Sequence, residues 1–147
     1  MNNFTLYSLT KNPVLKKLLL LLLLPLSLFA QKDASFWFAA PDVNQFLAGN
    51  PHDRPILLRL TSFSSPSTVT ISIPANPSFT PLTNTIAANS SGIVDLSAWA
   101  DQIENATANT VANKGILIRA TADITAYYEI VSNCNCNPEL FSLKGKN

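Results

Sequence analysis

Few residues in this chain have the type and spacing to do chemistry. Cys134-Asn-Cys136 supplies two thiols with fewer atoms between them than a Cys-x-x-Cys motif, and no βαβ pattern surrounds them. The pair therefore points to a structural disulfide, formed locally or with a cysteine outside the chain, and not to redox turnover. His52-Asp53 is the only His-carboxylate neighbour pair. It sits in a loop bounded by Gly49 and Pro55, with no Gly-x-Ser-x-Gly elbow elsewhere to complete a triad. That reads as a solvated loop. Asp95, Asp101, Glu104, Asp123 and Glu129 contain the material for a glycosidase-like carboxylate pair, but sequence does not supply their separation. No Asp-x-Asp-x-Asp run suggests calcium. No cofactor motif is present. With one His and two Cys, a four-ligand His/Cys zinc site cannot form.

The aromatic residues offer binding instead. Trp37 lies in an apolar run, and Trp99 shares a helical face with Ile103, so both read as core. Tyr127 alternates with Thr125 and Glu129 and is the best candidate for an exposed ring. Two candidate ligand surfaces follow: the loop holding His52, Asp53 and Arg54, and a polar sheet face carrying Arg119 and Tyr127.

These residues must be positioned by 117 residues, because the first 30 of the 147 read as a targeting segment. Lys11, Lys16 and Lys17 precede seven consecutive leucines, Leu18–Leu24, and Pro25 to Ala30 lead into polar sequence. A basic region, a short apolar run and a small residue before polar chain describe a secretory signal peptide, with cleavage between Ala30 and Gln31. The run Leu18–Ala30 is too short for the roughly 20 residues of a membrane-crossing helix, so no stable membrane span is expected. From residue 31 on, seven Lys/Arg face nine Asp/Glu. That balance argues against nucleic acid as a partner, because no basic field exists to neutralise phosphates. Low charge, four glycines and many Thr, Ser, Asn and Pro suit an exported β domain.

Period-two alternation supports this. Ile56, Leu58 and Leu60 share one face, as do Val69, Ile71 and Ile73. Ile116, Ile118 and Ala120 form a third set, and Ile124, Ala126, Tyr128 and Ile130 a fourth. Less regular strands are expected at 36–40, 82–87 and 93–96. Ser64-Ser65-Pro66-Ser67 predicts a hairpin between the first two runs, and Ala122-Asp123 a tight hairpin between the last two. Ser97 is placed to cap a short helix over 98–104. The predicted architecture is all-β: an antiparallel β-sandwich, Ig-like or jelly-roll-like, spanning 31–147, with one short helix.

Ser35-Phe-Trp-Phe-Ala-Ala-Pro-Asp-Val-Asn44, Ile71-Ser-Ile-Pro-Ala-Asn-Pro77, Asp101-Gln-Ile-Glu-Asn105, Asn113-Lys-Gly-Ile-Leu117, Ala122-Asp-Ile-Thr-Ala-Tyr-Tyr-Glu129 and the segment from Cys134 to Asn147 form a combined pattern. It resembles the N-terminal domain of bacterial IgGFc-binding-protein-like surface proteins over nearly all of 32–147. The resemblance implies a β-rich extracellular domain at the front of a larger secreted protein. Such proteins often carry adhesion repeats and a gliding-motility-associated or type IX sorting domain. It supplies no catalytic motif, and Fc binding would be analogy only.

Composition, targeting and resemblance together predict a non-enzymatic module, secreted or at the cell surface. Its partner would be an extracellular protein or glycan, and it would belong to a longer parent chain. Domain 31–147 would then be truncated at its C-terminus, leaving Leu140–Leu143 as a strand without a partner. The rival expectations are a carbohydrate-active β-sandwich enzyme and a purely structural spacer.

Overall fold

Residues whose apolar side chains alternate with Thr, Ser or Arg become strands, because one face can be buried while the other stays wet. The computed structural model, which describes residues 13, 32–43, 46, 47, 50, 51, 53–107, 109–132 and 138–146, has eleven strands among them, the longer of which follow this pattern. They are β1 (Asp33–Phe38), β2 (Ala40–Pro41), β3 (Phe46–Leu47), β4 (Asn50–Pro51), β5 (Ile56–Ser62), β6 (Ser67–Ser72), β7 (Leu82–Ile86), β8 (Ser91–Asp95), β9 (Glu104–Asn105), β10 (Ile116–Ile130) and β11 (Glu139–Ser142). A single 3-10 turn, Ser97–Trp99, runs into one short helix, α1 (Ala100–Ile103).

The 15-residue strand β10 organises the molecule. Along one edge its second half pairs with β5, Ile130 opposite Ile56 and Ile124 opposite Ser62. Along the same edge its first half pairs with β6, Ala120 opposite Val69 and Leu117 opposite Ser72. β5 and β6 therefore run end to end in one direction, interrupted by residues 63–66. β7 and β8 do the same one strand further out, opposite β6 and β5 respectively. On the other edge of β10, β1 pairs with the first half and β11 with the second. The result is one seven-stranded antiparallel sheet folded across its middle, an all-β sandwich or near-barrel.

The corner is held by backbone hydrogen bonding. Ser67 Oγ donates to the Ala122 carbonyl at 3.1 Å and accepts from the Ala122 N–H at 3.3 Å. Ser62 Oγ donates to the carbonyls of Ala87 and Ser90. Asn89, at φ 53°, takes the left-handed conformation that asparagine tolerates.

Two expected hairpins are corrected by this topology. Ala122-Asp123 lies inside β10 and is not a turn. Ser64-Ser65-Pro66 is a corner between collinear strands, since β5 and β6 pair with β10 and not with each other. The expected orphan strand at Leu140–Leu143 also has a partner: β11 pairs with Tyr127–Ile130, and Leu143 joins the core. Ser97 does not cap a helix. Its Oγ accepts the Ile56 N–H at 2.9 Å, and the Ser97 N–H donates to Asp95 Oδ1 at 2.8 Å.

One continuous core fills the concave face. Ile116, Ile118, Ile124, Tyr128 and Ile130 of β10 join Leu58 and Leu60 of β5, Val69 and Ile71 of β6, and Phe36 of β1. Each such side chain contributes about 1.5–3 kcal/mol by leaving water. Ala100 and Ile103 of α1, with Leu96 and Phe79, extend this core. Among the described residues no helix is long and apolar enough to cross a membrane.

Candidate functional site

The outward face of the first half of the sheet is built by the same alternation that buries Phe36. Because Phe36 points inward, Trp37 points outward, and it is 53% exposed. Its cross-strand partner Leu117 also points outward by phase, yet is only 6% exposed. The indole stands across from it in the register, with one ring edge next to Gly115. Trp37 therefore lies over the sheet with much of its surface in solvent.

The next row along the sheet is Ser35, Arg119, Thr70 and Thr83, and beyond it Thr68 faces Thr85, their hydroxyls 3.4 Å apart. On the far side of β1, Gly145 bridges Phe36, and the Lys146 N–H donates to the Ser35 carbonyl at 3.1 Å. With Gly145 sharing the phase of inward Phe36, its neighbours Lys144 and Lys146 fall on the outer face, beside Trp37 and Ser35, and both are exposed. Trp37 is thus ringed by Arg119, Lys144 and Lys146 on a field of hydroxyls. Among the described residues of these segments the acid is Asp33, which is buried beside Gly145 and accepts the backbone N–H groups of Ala34 and Ser35 on Oδ1.

A second cluster lies on the inner side, between β9, β10 and the segment entering β5. Asp53 is 1% exposed and Glu104 2%. Among the described residues, Glu104 Oε1, Asp53 Oδ2 and the Tyr128 hydroxyl have no hydrogen-bond partner. Arg54 Nε stands 3.5 Å from Asp53 Oδ2. Burial first, then the charges of Asp53 and Asp42, raise the Glu104 carboxyl from 4.5 to about 7, while Arg54 opposes the rise. Burial, then Glu104 and Asp53, push the Tyr128 phenol above its ordinary value. Lys114 Nζ donates to the Glu104 and Asp101 carbonyls, both at 2.7 Å, and fixes the chain around α1. A cavity of about 360 Å³ opens beside it, lined in part by Asn76, Gln102 and Lys114.

The residues singled out from sequence are dispersed. Ala30, Gln31, His52, Cys134 and Cys136 lie outside the described residues. Asp53 is not on a solvated loop as expected; it is buried, and Arg54 is partly buried against it. Arg119 and Tyr127 share the outer face of β10 but are not neighbours. They stand eight residues apart on one strand, Arg119 opposite Thr70 and Tyr127 opposite Arg59. Trp37 is corrected from core to surface, while Trp99 packs edge-on to Phe79 at 6.3 Å, against the core. Of the five carboxylates considered as a catalytic pair, Asp95 binds Ser97 and Glu129 pairs with Arg59. Glu104 alone of the five is buried, and its acidic neighbour is Asp53. Among the described residues no three His, Cys, Asp or Glu are arranged to hold a metal ion.

Two features escaped the sequence reading. The exposure of Trp37 was encoded in phase, since Ala34, Phe36 and Phe38 alternate with Ser35 and Trp37. The arrival of Lys144 and Lys146 beside β1 depends on long-range pairing and has no local signal.

No family model matches the sequence, and no curated protein is significantly similar to it. A crystal structure of the Thermotoga maritima protein 1070 is similar at TM-score 0.39 and 11% identity, over 79% of this chain and 92% of that one. That likeness is too distant to carry an argument about fold or function.

Proposed function

We propose that this chain is an exported binding module, secreted or held at a cell surface, that works by adhesion and without chemical turnover. The observation that carries the reading is the outward, half-exposed Trp37, on a polar sheet face whose cations have no ion-pair partner among the described residues. Large exposed aromatic residues on rigid strands are costly in water unless something covers them, and they dominate binding energy where they are covered. The leader-like N-terminus and the resemblance to surface proteins support the same reading, with an extracellular glycan or protein as partner and further domains in a longer parent chain.

The rival enzyme reading would rest on Glu104, whose raised carboxyl lies in the range of a general acid. A general acid must reach substrate, and Glu104 is buried, so the geometry favours a structural role. The test is retention of the secreted protein on a panel of glycans and extracellular-matrix proteins, compared with Trp37→Ala. Retention lost in the variant, without release of reducing ends, is the expected result. Trp37-independent hydrolysis would replace the binding reading with the enzyme reading. Full folding with no retention on any surface would favour a spacer.

A further inference from the structure

We propose that the Trp37 face binds a polyuronate, an acidic polysaccharide whose pyranose rings stack on the indole while its carboxylates meet Arg119, Lys144 and Lys146. The inference rests on the binding-module reading and names its ligand. From residue 31 on the chain is slightly acidic, yet three of its seven Lys/Arg gather around this one tryptophan. Among the described residues of these paired segments the acid is Asp33, and it is buried. Such one-sided charge on an otherwise acidic chain selects an anionic partner.

The arrangement also says which anion. The face is open and about 20 Å across its five adjoining segments at the spacing of paired strands. An open sheet face suits an extended polymer better than a small molecule, which prefers a concave pocket. Its cations are spread among hydroxyls: Ser35 lies between Lys146 and Arg119, and Thr70 follows. A polyuronate has the matching alternation of widely spaced carboxylates and hydroxyls. A duplex or a sulfated chain carries denser charge, which three cations do not neutralise. The Arg119 guanidinium can accept a carboxylate in a two-pronged contact, and the indole offers a planar surface to a sugar ring.

The experiment is affinity electrophoresis of the secreted protein through gels containing polygalacturonate, neutral dextran, dextran sulfate or single-stranded DNA. Polygalacturonate should retard the protein, less so as salt is raised, and dextran should not. Trp37→Ala should weaken the apparent affinity about tenfold or more, as expected for a central aromatic contact. Trp37→Tyr, which keeps an aromatic face, should retain most of it, and Lys144→Gln with Lys146→Gln should weaken it without changing the melting temperature. Equal retardation by dextran, or stronger retardation by dextran sulfate or DNA, would overturn the polyuronate assignment. So would polygalacturonate binding that ignores Trp37. If a Trp37-dependent partner of another class were found, the ligand would be wrong and the binding reading would survive. If no glycan or protein responded to Trp37→Ala, both would fail.

Discussion

The two halves of β10 have the same inner face and opposite outer ones. In both halves the even residues, Ile116 and Ile118 as much as Ala126 and Ile130, sink into one core. Outside, the second half keeps its arginine paired: Arg59 meets Glu129 from the neighbouring strand, and exposed Asp95 adds a further acid to the same face. The first half leaves Arg119, Lys144 and Lys146 on its surface with no ion-pair partner among the described residues. The inner face is constrained by packing, so it cannot distinguish the halves. The outer face is where they diverge, and the half whose cations are unpaired among the described residues is where we place the proposed partner.

The sharpest way to separate face from face uses adjacent tyrosines. Tyr128 is fully buried, with its ring 5.2 Å from that of Phe38, while Tyr127 points outward opposite Arg59. Tyr128→Ala should cost about 3–5 kcal/mol through lost burial and the cavity left behind. Tyr127→Ala should cost about 1 kcal/mol or less. Urea unfolding of both variants checks this. Comparable losses would mean that the alternation does not govern the energetics of β10.

The same alternation shows how far the sequence could be read. All strands of the main sheet were visible in it, but their connections were not equally so. Even residues point inward on both sides of Ala122-Asp123. A two-residue hairpin there would set Ala120 opposite Thr125, an inward residue against an outward one, whereas cross-strand partners share a face. The continuous strand was therefore implicit in the phase. At Ser64–Ser67 the phase does switch, from Ile56, Leu58 and Leu60 to Val69 and Ile71. A hairpin with a four-residue loop would satisfy that pattern as well as the corner does. Only pairing with β10 decides the matter, and that is a long-range fact. Asp53 was misread for the same reason: its burial depends on β9 and β10, far away in sequence.

A second test compares the buried cluster with the wet face through pH. Glu104 is raised to about 7 in the folded state against 4.5 for an ordinary carboxyl. Between those values the folded protein holds a proton that the unfolded chain has released. Stability should therefore fall as pH rises from about 4.5 to about 7, with the cost fully present above that. The shift corresponds to about 3 kcal/mol at most. Glu104→Gln should flatten this part of the profile and stabilise the protein at pH 8, measured by thermal or urea unfolding at each pH. An unchanged profile would show that Glu104 is solvated and that the cluster is not the source of strain.

A smaller effect is expected at the edge that brings in the two lysines. A Cβ on Gly145 would lie 2.1 Å from the Asp33 Cβ, an atom too close to the backbone to swing aside. Gly145→Ala should lift the last residues from β1 at a cost of about 1–3 kcal/mol, as for other overpacked sites. Because Lys144 and Lys146 leave with them, polyuronate binding should weaken while the Arg59–Glu129 half stays intact. Unfolding curves and the retardation assay read the two consequences separately, and binding that survives displacement of the segment would remove the lysines from the site.

The smallest expected effect falls on the half whose arginine is already paired. Arg59 and Glu129 meet on the outer surface, with the arginine side chain 44% exposed. An ion pair in that setting is screened by water and contributes about 0.2–1 kcal/mol. Arg59→Gln and Glu129→Gln, singly and together, should give a coupling energy in that range, and it should shrink with salt. Neither change should alter polygalacturonate retardation, whereas Arg119→Gln should weaken it. Removing Arg59 uncovers Glu129 and leaves the second half acidic, which repels a polyanion that never docked there. Removing Arg119 takes a cation from a face with nothing to balance it. If Arg59→Gln weakened retardation as much as Arg119→Gln did, binding would follow the overall charge of the molecule and not its first half. The contrast between the two outer faces would then lose its functional meaning.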